Sequence, residues 1–588
     1  MIRDTIRRMM LAAAAALHEQ GAIELPAEGI PPFDVERPQQ AQHGDYATNL
    51  ALKLARPPAS REIAAKIAAY LNETAPLVPA YDLVEKVETA GPGFINVRLK
   101  PTWLLRQVPA LIEAGPQVGN SESGRGKRIN LEFVSANPTG PVHIGNGRGG
   151  FIGDTLGNVL RAAGFDVTKE YYFNDFGQQI QKMGRSIEWY MRLALGENDA
   201  PQPTDKEGKP EGYYDHPDDP EDTFYQGIAQ MVLDETHQGQ DVLGLPPDER
   251  ARVIGNRAAQ HIIANIRATM ARLNINFDVW FNEASLGATG EFDESIQFLR
   301  DHDFLYEQDG ATWMEAARFG DDKDRVLIKT DGERTYAASD VAYIHNKLAR
   351  GFDQLIYVLG ADHHGYVGRL KAMAQMFGYT EERVHVLIYQ HVSVKVGGKS
   401  QRMSKRAGTA ISLDELADLV GPDVMRFFYL MRAADTHLEF DVELAMKEGE
   451  DNPGLSVQYG HARVAGVLRK AVESGYHPET EAMGADLTLL AKDAPEQATA
   501  ELNLIRELLR LEEVIDRAAT SLEPHHLTKY GMDVATAFHV FYDRCPMLRA
   551  ESDEIRSARF ALTLAARTVL ARVLTLLGMT TPDRMDRE

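Results

Sequence analysis

The 588-residue chain has a single cysteine, Cys545. That excludes a disulfide framework and any metal site built on several thiolates, and it fits a reducing, cytoplasmic compartment. Cys545 itself reads as a core residue. Long apolar runs are also missing, and no stretch of about eighteen apolar residues offers itself as a bilayer span. The opening stretch MIRDTIRRMMLAAAAALHEQ has the basic start of a secretion signal. However, Ile2, Ile6, Met9, Met10, Ala13 and Leu17 recur with helical period, and His18 and Glu19 break the apolar run, so an amphipathic helix is expected. Positive charge is scarce: 63 Lys and Arg stand against 86 Asp and Glu, a formal charge of −23. This weighs against a surface coated by nucleic acid, but only weakly, because a large protein can be acidic in total and basic locally.

What is present is a chain too long for one core, and roughly three to five domains are expected. Residues 1–115 read as a small α+β unit, ending in the strand-like GPGFINVRL. From GRGKRINLEFV onward, short apolar strands (INLEFV, VTKEYYF, QLIYVLG, RVHVLIYQHV) alternate with amphipathic helices, which implies a Rossmann-like parallel sheet over 116–420 with an insertion at 190–300. The Pro-, Gly- and acid-rich residues 196–223 read as a mobile surface excursion. Beyond 420 the strands disappear. Stripes such as Leu504, Ile505, Leu508, Leu511 and Ile515 predict an all-α bundle over 421–588.

The stretch EFVSANPTGPVHIGNGRGG, Glu132 to Gly150, runs from a strand into a glycine-rich turn and a helix. In open α/β sheets ligands bind beyond the carboxyl ends of the strands, and a helix beginning near His143 points its amide dipoles at an anion. A bland alternative is a strand-to-helix turn with a capping histidine. Far downstream, KVGGKSQRMSKR (395–406) carries five basic side chains and no acid. Such a run is either a solvated loop or an anion patch.

His143-Ile144-Gly145-Asn146 resembles the HIGH signature of class I aminoacyl-tRNA synthetases, and MSKR resembles their KMSKS signature. The order and the position after the last strand agree. The resemblance implies that His143 donates to ATP phosphate in the transition state and that Lys405 neutralises the leaving pyrophosphate. It also implies that Gly140, Pro141, Gly145, Met403, Ser404 and Asp362 line the nucleotide. Asn146 replaces a histidine and can donate a hydrogen bond but never carry positive charge.

Further stretches narrow the resemblance to arginyl-tRNA synthetases: HGDYATNLAL, AGPGFINVRL, TDGERTYAASDVAY, DVMRFFYLMR and DNPGLSVQYGHARVAGVLRKA. The implied substrates are L-arginine, ATP with its magnesium, and the tRNA for arginine, with no protein-bound metal and a monomeric enzyme. A planar, permanently charged guanidinium demands carboxylates placed for forked hydrogen bonds. Family positions map that socket onto Glu132, Tyr336 and Asp340, with Ser135, Asn137 and His363 completing the amino-acid site. Alternatively, Asp340 caps a helix and Tyr336 is core. Asn174, Asp175 and Gln178 either approach the substrates or cap a helix. For tRNA, Phe94 is expected to stack and Asn96 to bond a base edge, with Tyr459, Arg463 and Tyr542 facing the anticodon loop, although Phe94, Tyr459 and Tyr542 could equally be core. Two other functions fit part of the sequence: a small-molecule nucleotidylyltransferase, and a catalytically silent tRNA-binding paralogue.

Overall fold

The computed structural model describes residues 2–38, 40–175, 177–205, 208–215, 223–396, 399–401, 412–449, 451–492 and 495–585. Its centre is a five-stranded sheet of β1 (Arg128–Phe133), β2 (Asp166–Phe173), β3 (Val279–Asn282), β4 (Gln354–Gly360) and β5 (Val384–Tyr389). All four pairings are parallel, in the order β5-β4-β1-β2-β3. Five of the six residues of the central strand β1 are buried, although its sequence RINLEF alternates polar and apolar side chains, so both faces of the strand are covered and Asn130 and Glu132 are buried polar groups. The principal helices around the sheet are α1 (Ile144–Ala162), α2 (Gln178–Ala194), α3 (Pro247–Arg272), α4 (Tyr336–Ala349) and α5 (Val367–Met376). An antiparallel three-stranded sheet, Leu305–Gln308, Ala311–Met314 and Arg325–Ile328, sits between β3 and α4.

The glycines of α1 let it lie close on the sheet. A Cβ on Gly153 would stand 2.2 Å from Phe133 of β1, and one on Gly149 would stand 2.8 Å from Tyr389 of β5. Asp154 of α1 pairs with Lys169 of β2 and with Arg426, each at 2.8 Å. Arg426 also donates to the carbonyls of Leu273, Asn274 and Leu577, at 2.9, 2.7 and 2.9 Å. One buried guanidinium therefore ties α1, the end of α3 and the last long helix together.

The N-terminal unit packs the helices Ile2–Glu19 and Ala59–Thr74 with a four-stranded antiparallel sheet ending in Phe94–Leu99. The C-terminal unit is a bundle of Ser456–Glu473, Pro495–Leu508, α6 (Leu511–Ser521), His525–Arg544 and Asp553–Leu577. The last of these is long and apolar enough to cross a membrane, but 72% of its most apolar window is buried among its neighbours, as in a core helix. Cys545 is fully buried there.

Four expectations change. The stripe from Leu504 to Ile515 is buried but belongs to two helices, broken at 509–510. RVHVLIYQHV supplies two strands, because after β5 the chain turns into Val392–Val396. A strand does occur beyond 420: Leu438–Asp441 pairs in parallel with Val392–Val396, its alternate residues Leu438 and Phe440 buried. Within 196–223, the described residues fold back rather than extend as an excursion. Asp215 is buried, receives the amides of Tyr225 (2.6 Å) and Gln226 (3.1 Å), and its own amide bonds Tyr190, while Trp189 donates to the carbonyl of Ala200.

Candidate active site

β1 ends in a strained turn. Val134 and Ser135 both lie in left-handed backbone space, at φ 66° and 41°, an unusual pair for residues with side chains. The Tyr171 hydroxyl holds the turn from below, donating to the carbonyl of Ala136 at 2.8 Å and accepting its amide at 3.1 Å. Ser135 braces it from the other side: its Oγ donates to Glu132 at 3.0 Å and accepts the Tyr172 amide at 3.1 Å. Asn137 is exposed and donates to Gln179 at 3.0 Å.

The turn delivers His143 to the start of α1 as its N-cap. Nδ1 accepts the Gly145 amide at 3.1 Å, and Asn146 returns the bond by accepting the His143 amide at 3.1 Å. With Nδ1 accepting, a neutral ring carries its proton on Nε2, which makes that nitrogen a donor. The capping role and the donor role therefore coexist in one side chain. Asn146 also gains a definite task, closing the capping box. Gly140 is buried, and Pro141 and Gly145 are half-buried beside it.

The second motif, with Met403, Ser404 and Lys405, lies outside the described residues. Its downstream flank does not: Ser412 forms an antiparallel bridge with His143, and the Leu413 amide donates to the Val142 carbonyl at 3.3 Å. The chain leaving that motif is thus hydrogen-bonded to the turn of the first. Upstream, Lys395 is paired with Asp441 at 2.9 Å. Beyond β4, Asp362 is exposed and stands 3.5 Å from His391, and the exposed His363 ring lies edge-on to Tyr366 at 6.2 Å.

Beside the end of β1 lies a buried ionic cluster. α4 presents Tyr336, Asp340, Tyr343 and Lys347 at helical spacing toward one side. Glu132 is only 6% exposed, and its second oxygen accepts from Lys347 Nζ at 2.6 Å. It is therefore not the open carboxylate that the sequence suggested: Ser135 and Lys347 occupy both oxygens. Lys347 is fully buried, with Nζ 4.3 Å and 4.2 Å from the ring centroids of Tyr343 and Tyr357. Glu170, which pairs in register with Glu132 across β1 and β2, takes a forked pair of bonds from Arg350 at 2.6 and 2.8 Å and a third from Tyr343. Two of the cluster's acids are in this way neutralised by its own cations.

Asp340 and Glu283 have no such cation bonded to them among the described residues. Asp340 sits in mid-helix rather than at a cap, accepting from the Tyr366 hydroxyl. Burial pushes its carboxyl up to about 7, with Glu283 and Glu132 adding to the push. Glu283 is buried, and burial raises its carboxyl too, against hydrogen bonds from Ser339 and Tyr172. Tyr336 is 61% exposed at the first position of α4, so it is not core. The cluster thus offers two acids with no cation bonded to them among the described residues, Asp340 feeling only the field of Arg369, and Tyr336 lies one helical turn before Asp340.

Asp175 does not cap α2. It accepts from Asn282 of β3 at 2.8 Å, while Gln178 is the exposed first residue of α2 and Asn174 is half-buried. Farther out, Phe94 is 40% exposed and Asn96, on the same strand face, only 6%. In the bundle the Arg463 guanidinium lies 5.5 Å from the Tyr542 ring centroid, and Tyr459, one helical turn before Arg463, accepts the Gly449 amide at 3.1 Å.

Sequence reasoning missed Lys347, Arg350, Glu170 and Glu283. It also missed Arg148, a fully buried guanidinium of α1 that donates to the carbonyls of Gln390, Ala433 and Thr436 at 2.8, 2.9 and 2.7 Å. Burial pulls it down to about 10. The one local signal was spacing: Lys347 follows Asp340 by seven positions and so shares its helical face.

Residues 107–426 match the family of class I tRNA synthetase (R) catalytic domains. Residues 3–99 match the arginyl tRNA synthetase N-terminal domain, and residues 457–585 the DALR anticodon binding domain. An arginine–tRNA ligase of Heliobacterium modesticaldum is 42% identical over 587 residues, covering 99% of both chains. One from Moorella thermoacetica is 40% identical over 590 residues, covering 100% of both. The arginyl-tRNA synthetase structure from Thermus thermophilus shares the fold, with a TM-score of 0.74 at 22% identity and 100% of both chains covered.

Proposed function

The chain belongs to the arginyl-tRNA synthetases of class I, and we infer from its site how it attaches arginine to tRNA. The observation that carries the reading is the juxtaposition at the end of β1. There, two acids with no cation bonded to them among the described residues, Asp340 and Glu283, share a cluster with Glu132, the strand residue that leads into the turn bearing the His143 cap.

Arginine's guanidinium meets Asp340 and Glu283 under the Tyr336 ring, while Glu132 and Ser135, held by Lys347, shape the pocket floor. Asn137 and His363 approach the α-amino and carboxylate end. ATP lies against Gly140, Pro141, Gly145 and Asn146, with its ribose toward Asp362 and its magnesium arriving as part of the substrate. The arginine carboxylate attacks the α-phosphorus in line. His143 Nε2–H donates to phosphate oxygen as charge builds, and pyrophosphate leaves past Lys405 and its neighbours Met403 and Ser404. A ribose hydroxyl of the terminal adenosine of tRNA then attacks the arginyl-adenylate, releasing AMP. Positioning and charge neutralisation supply the acceleration, with no covalent enzyme intermediate.

The N-terminal unit (1–115) reads the tRNA elbow through Phe94 and Asn96, and the C-terminal unit (421–588) meets the anticodon loop through Arg463, Tyr542 and Tyr459. Between them, 116–420 carries the chemistry in a monomeric, cytoplasmic enzyme. Pyrophosphate exchange with each amino acid, with and without tRNA, tests this reading: arginine-specific exchange supports it, and exchange driven by another amino acid overturns it.

A further inference from the structure

The HGDY segment belongs to the N-terminal unit, and the proposed reaction assigns none of its residues a part. Gly44, at φ +83°, brings the segment so close to the strand Phe94–Leu99 that a Cβ there would stand 2.8 Å from the Val97 carbonyl. The next two residues cross to the C-terminal bundle. Asp45 accepts from Arg506 at 2.5 Å, its other oxygen holding the Leu99 amide at 2.7 Å. Tyr46, fully buried, donates its hydroxyl to Glu513 of α6. Arg37 closes the ring, donating to Glu513 at 3.1 Å, to the Tyr46 hydroxyl at 2.8 Å and to the Arg506 carbonyl at 3.3 Å, its guanidinium 4.9 Å from the Tyr46 ring centroid. Arg3 stands 3.9 Å from the same carboxylate.

α6 is the shared anchor. Its Asp516 accepts from Ser121 at 2.5 Å and Ser123 at 2.9 Å, in the segment that enters β1. A Cβ on Gly119 would stand 2.5 Å from Leu511. The same helix packs against α1, the helix that His143 caps. One short helix thus touches the N-terminal unit, the entry to the catalytic sheet and the catalytic helix.

We propose that Glu513, with Arg37, Tyr46 and the Asp45–Arg506 pair, is a positioning lock that fixes the elbow-reading face relative to the anticodon-reading face. The proposal rests on the reading above that these two units hold the tRNA. A ligand that must span two faces gains when they are held at the right separation, because the second contact is then made at high effective concentration; a loosened joint loses that gain. None of the residues of the lock is among those assigned above to arginine, ATP or tRNA. Their effect passes through the placement of Phe94 and Asn96.

The test uses the intact enzyme and compares the wild type with Glu513→Gln and Tyr46→Phe in steady-state arginylation. Glu513→Gln keeps an acceptor for Tyr46 but removes the carboxylate to which the half-buried Arg37 is bonded, leaving only the more distant Glu507. The expected result is a rise of about tenfold in KM for tRNA. Tyr46→Phe, which removes one hydroxyl, raises it about threefold. KM for arginine and for ATP, and kcat at saturating tRNA, stay within about twofold of wild type, because no group at the reacting atoms has moved. A lower thermal midpoint with an unchanged KM for tRNA would make the network structural only and overturn the proposal. If Glu513→Gln does not fold, Tyr46→Phe decides by the same criterion. A wild-type enzyme that fails to charge tRNA with arginine would instead refute the functional reading on which the lock depends.

Discussion

The proposed amino-acid side and the proposed nucleotide side of the site are built on opposite plans. The first is buried and ionic: Glu132 and Glu170 are held by Lys347 and Arg350, and Asp340 and Glu283 are left over. The second is half-buried and largely backbone, with the His143 cap, the close-lying glycines, Asp362 at the surface and a bridge to Ser412. The difference matches the tasks. Discrimination among amino acids needs a socket whose acids are held in place for one cation and would be left without a partner by a neutral side chain. Stabilising a phosphoryl transition state needs donors already aimed at the place where charge develops, which a helix start and a capped histidine supply.

The comparison can be broken most severely from the buried side. Lys347→Met leaves Glu132 as an uncompensated buried anion and should cost about 3–5 kcal/mol of stability. Adding Glu132→Leu should recover much of that loss, and denaturant melts of the single and double variants check both. A small loss in the single variant would mean that the socket is not preorganised by its own cations.

On the nucleotide side, His143→Ala should lower kcat for arginine-dependent exchange roughly a hundred- to thousandfold, as loss of a transition-state donor does. Loss of its cap should cost only about 1 kcal/mol of stability. An activity loss no larger than the stability loss explains would reduce His143 to a cap. Asn146→Ala opens the capping box alone and should cost about 1 kcal/mol, with kcat affected much less than by His143→Ala. Equal losses of kcat in the two variants would assign Asn146 a direct part in the chemistry.

How legible each side was from sequence follows the same division. The turn bearing His143 is a local feature, a glycine-rich stretch between a strand and a helix, and local features are written in consecutive residues. The parallel sheet flanked by helices was equally readable from alternation, but the spatial order of its strands was not. β3, only four residues long and half-buried throughout, carried no such pattern. The ionic cluster was barely readable, because its bonds join Glu132 to Lys347 and Glu170 to Arg350 across 215 and 180 positions. A lysine inside a helical pattern ordinarily reads as a solvated face. Arg426 gave a stronger signal, an arginine amid the apolar residues of DVMRFFYL, but not the identity of its partner Asp154. The same limit explains why Glu132 looked like an open ligand: nothing nearby in the chain announces the cation that already holds it.

In the proposed reaction the guanidinium is met by Asp340, whose carboxyl burial has pushed up to about 7. This raised value makes the ionised form costly without a ligand, so the cost enters as pH rises from the usual carboxylate range through 7. Asp340→Asn should therefore stabilise the ligand-free enzyme at pH 8, by about 1–3 kcal/mol. Arginine requires the ionised form, so binding at or below pH 7 must expel a proton and weaken as pH falls. The most direct test is calorimetric titration of arginine into the wild type and Asp340→Asn, in buffers of different ionisation heat, between pH 6 and 8. The account predicts proton release and weakening affinity below pH 7 in the wild type, with binding abolished in Asp340→Asn. Arginine binding that releases no proton, and that survives the substitution, would contradict it.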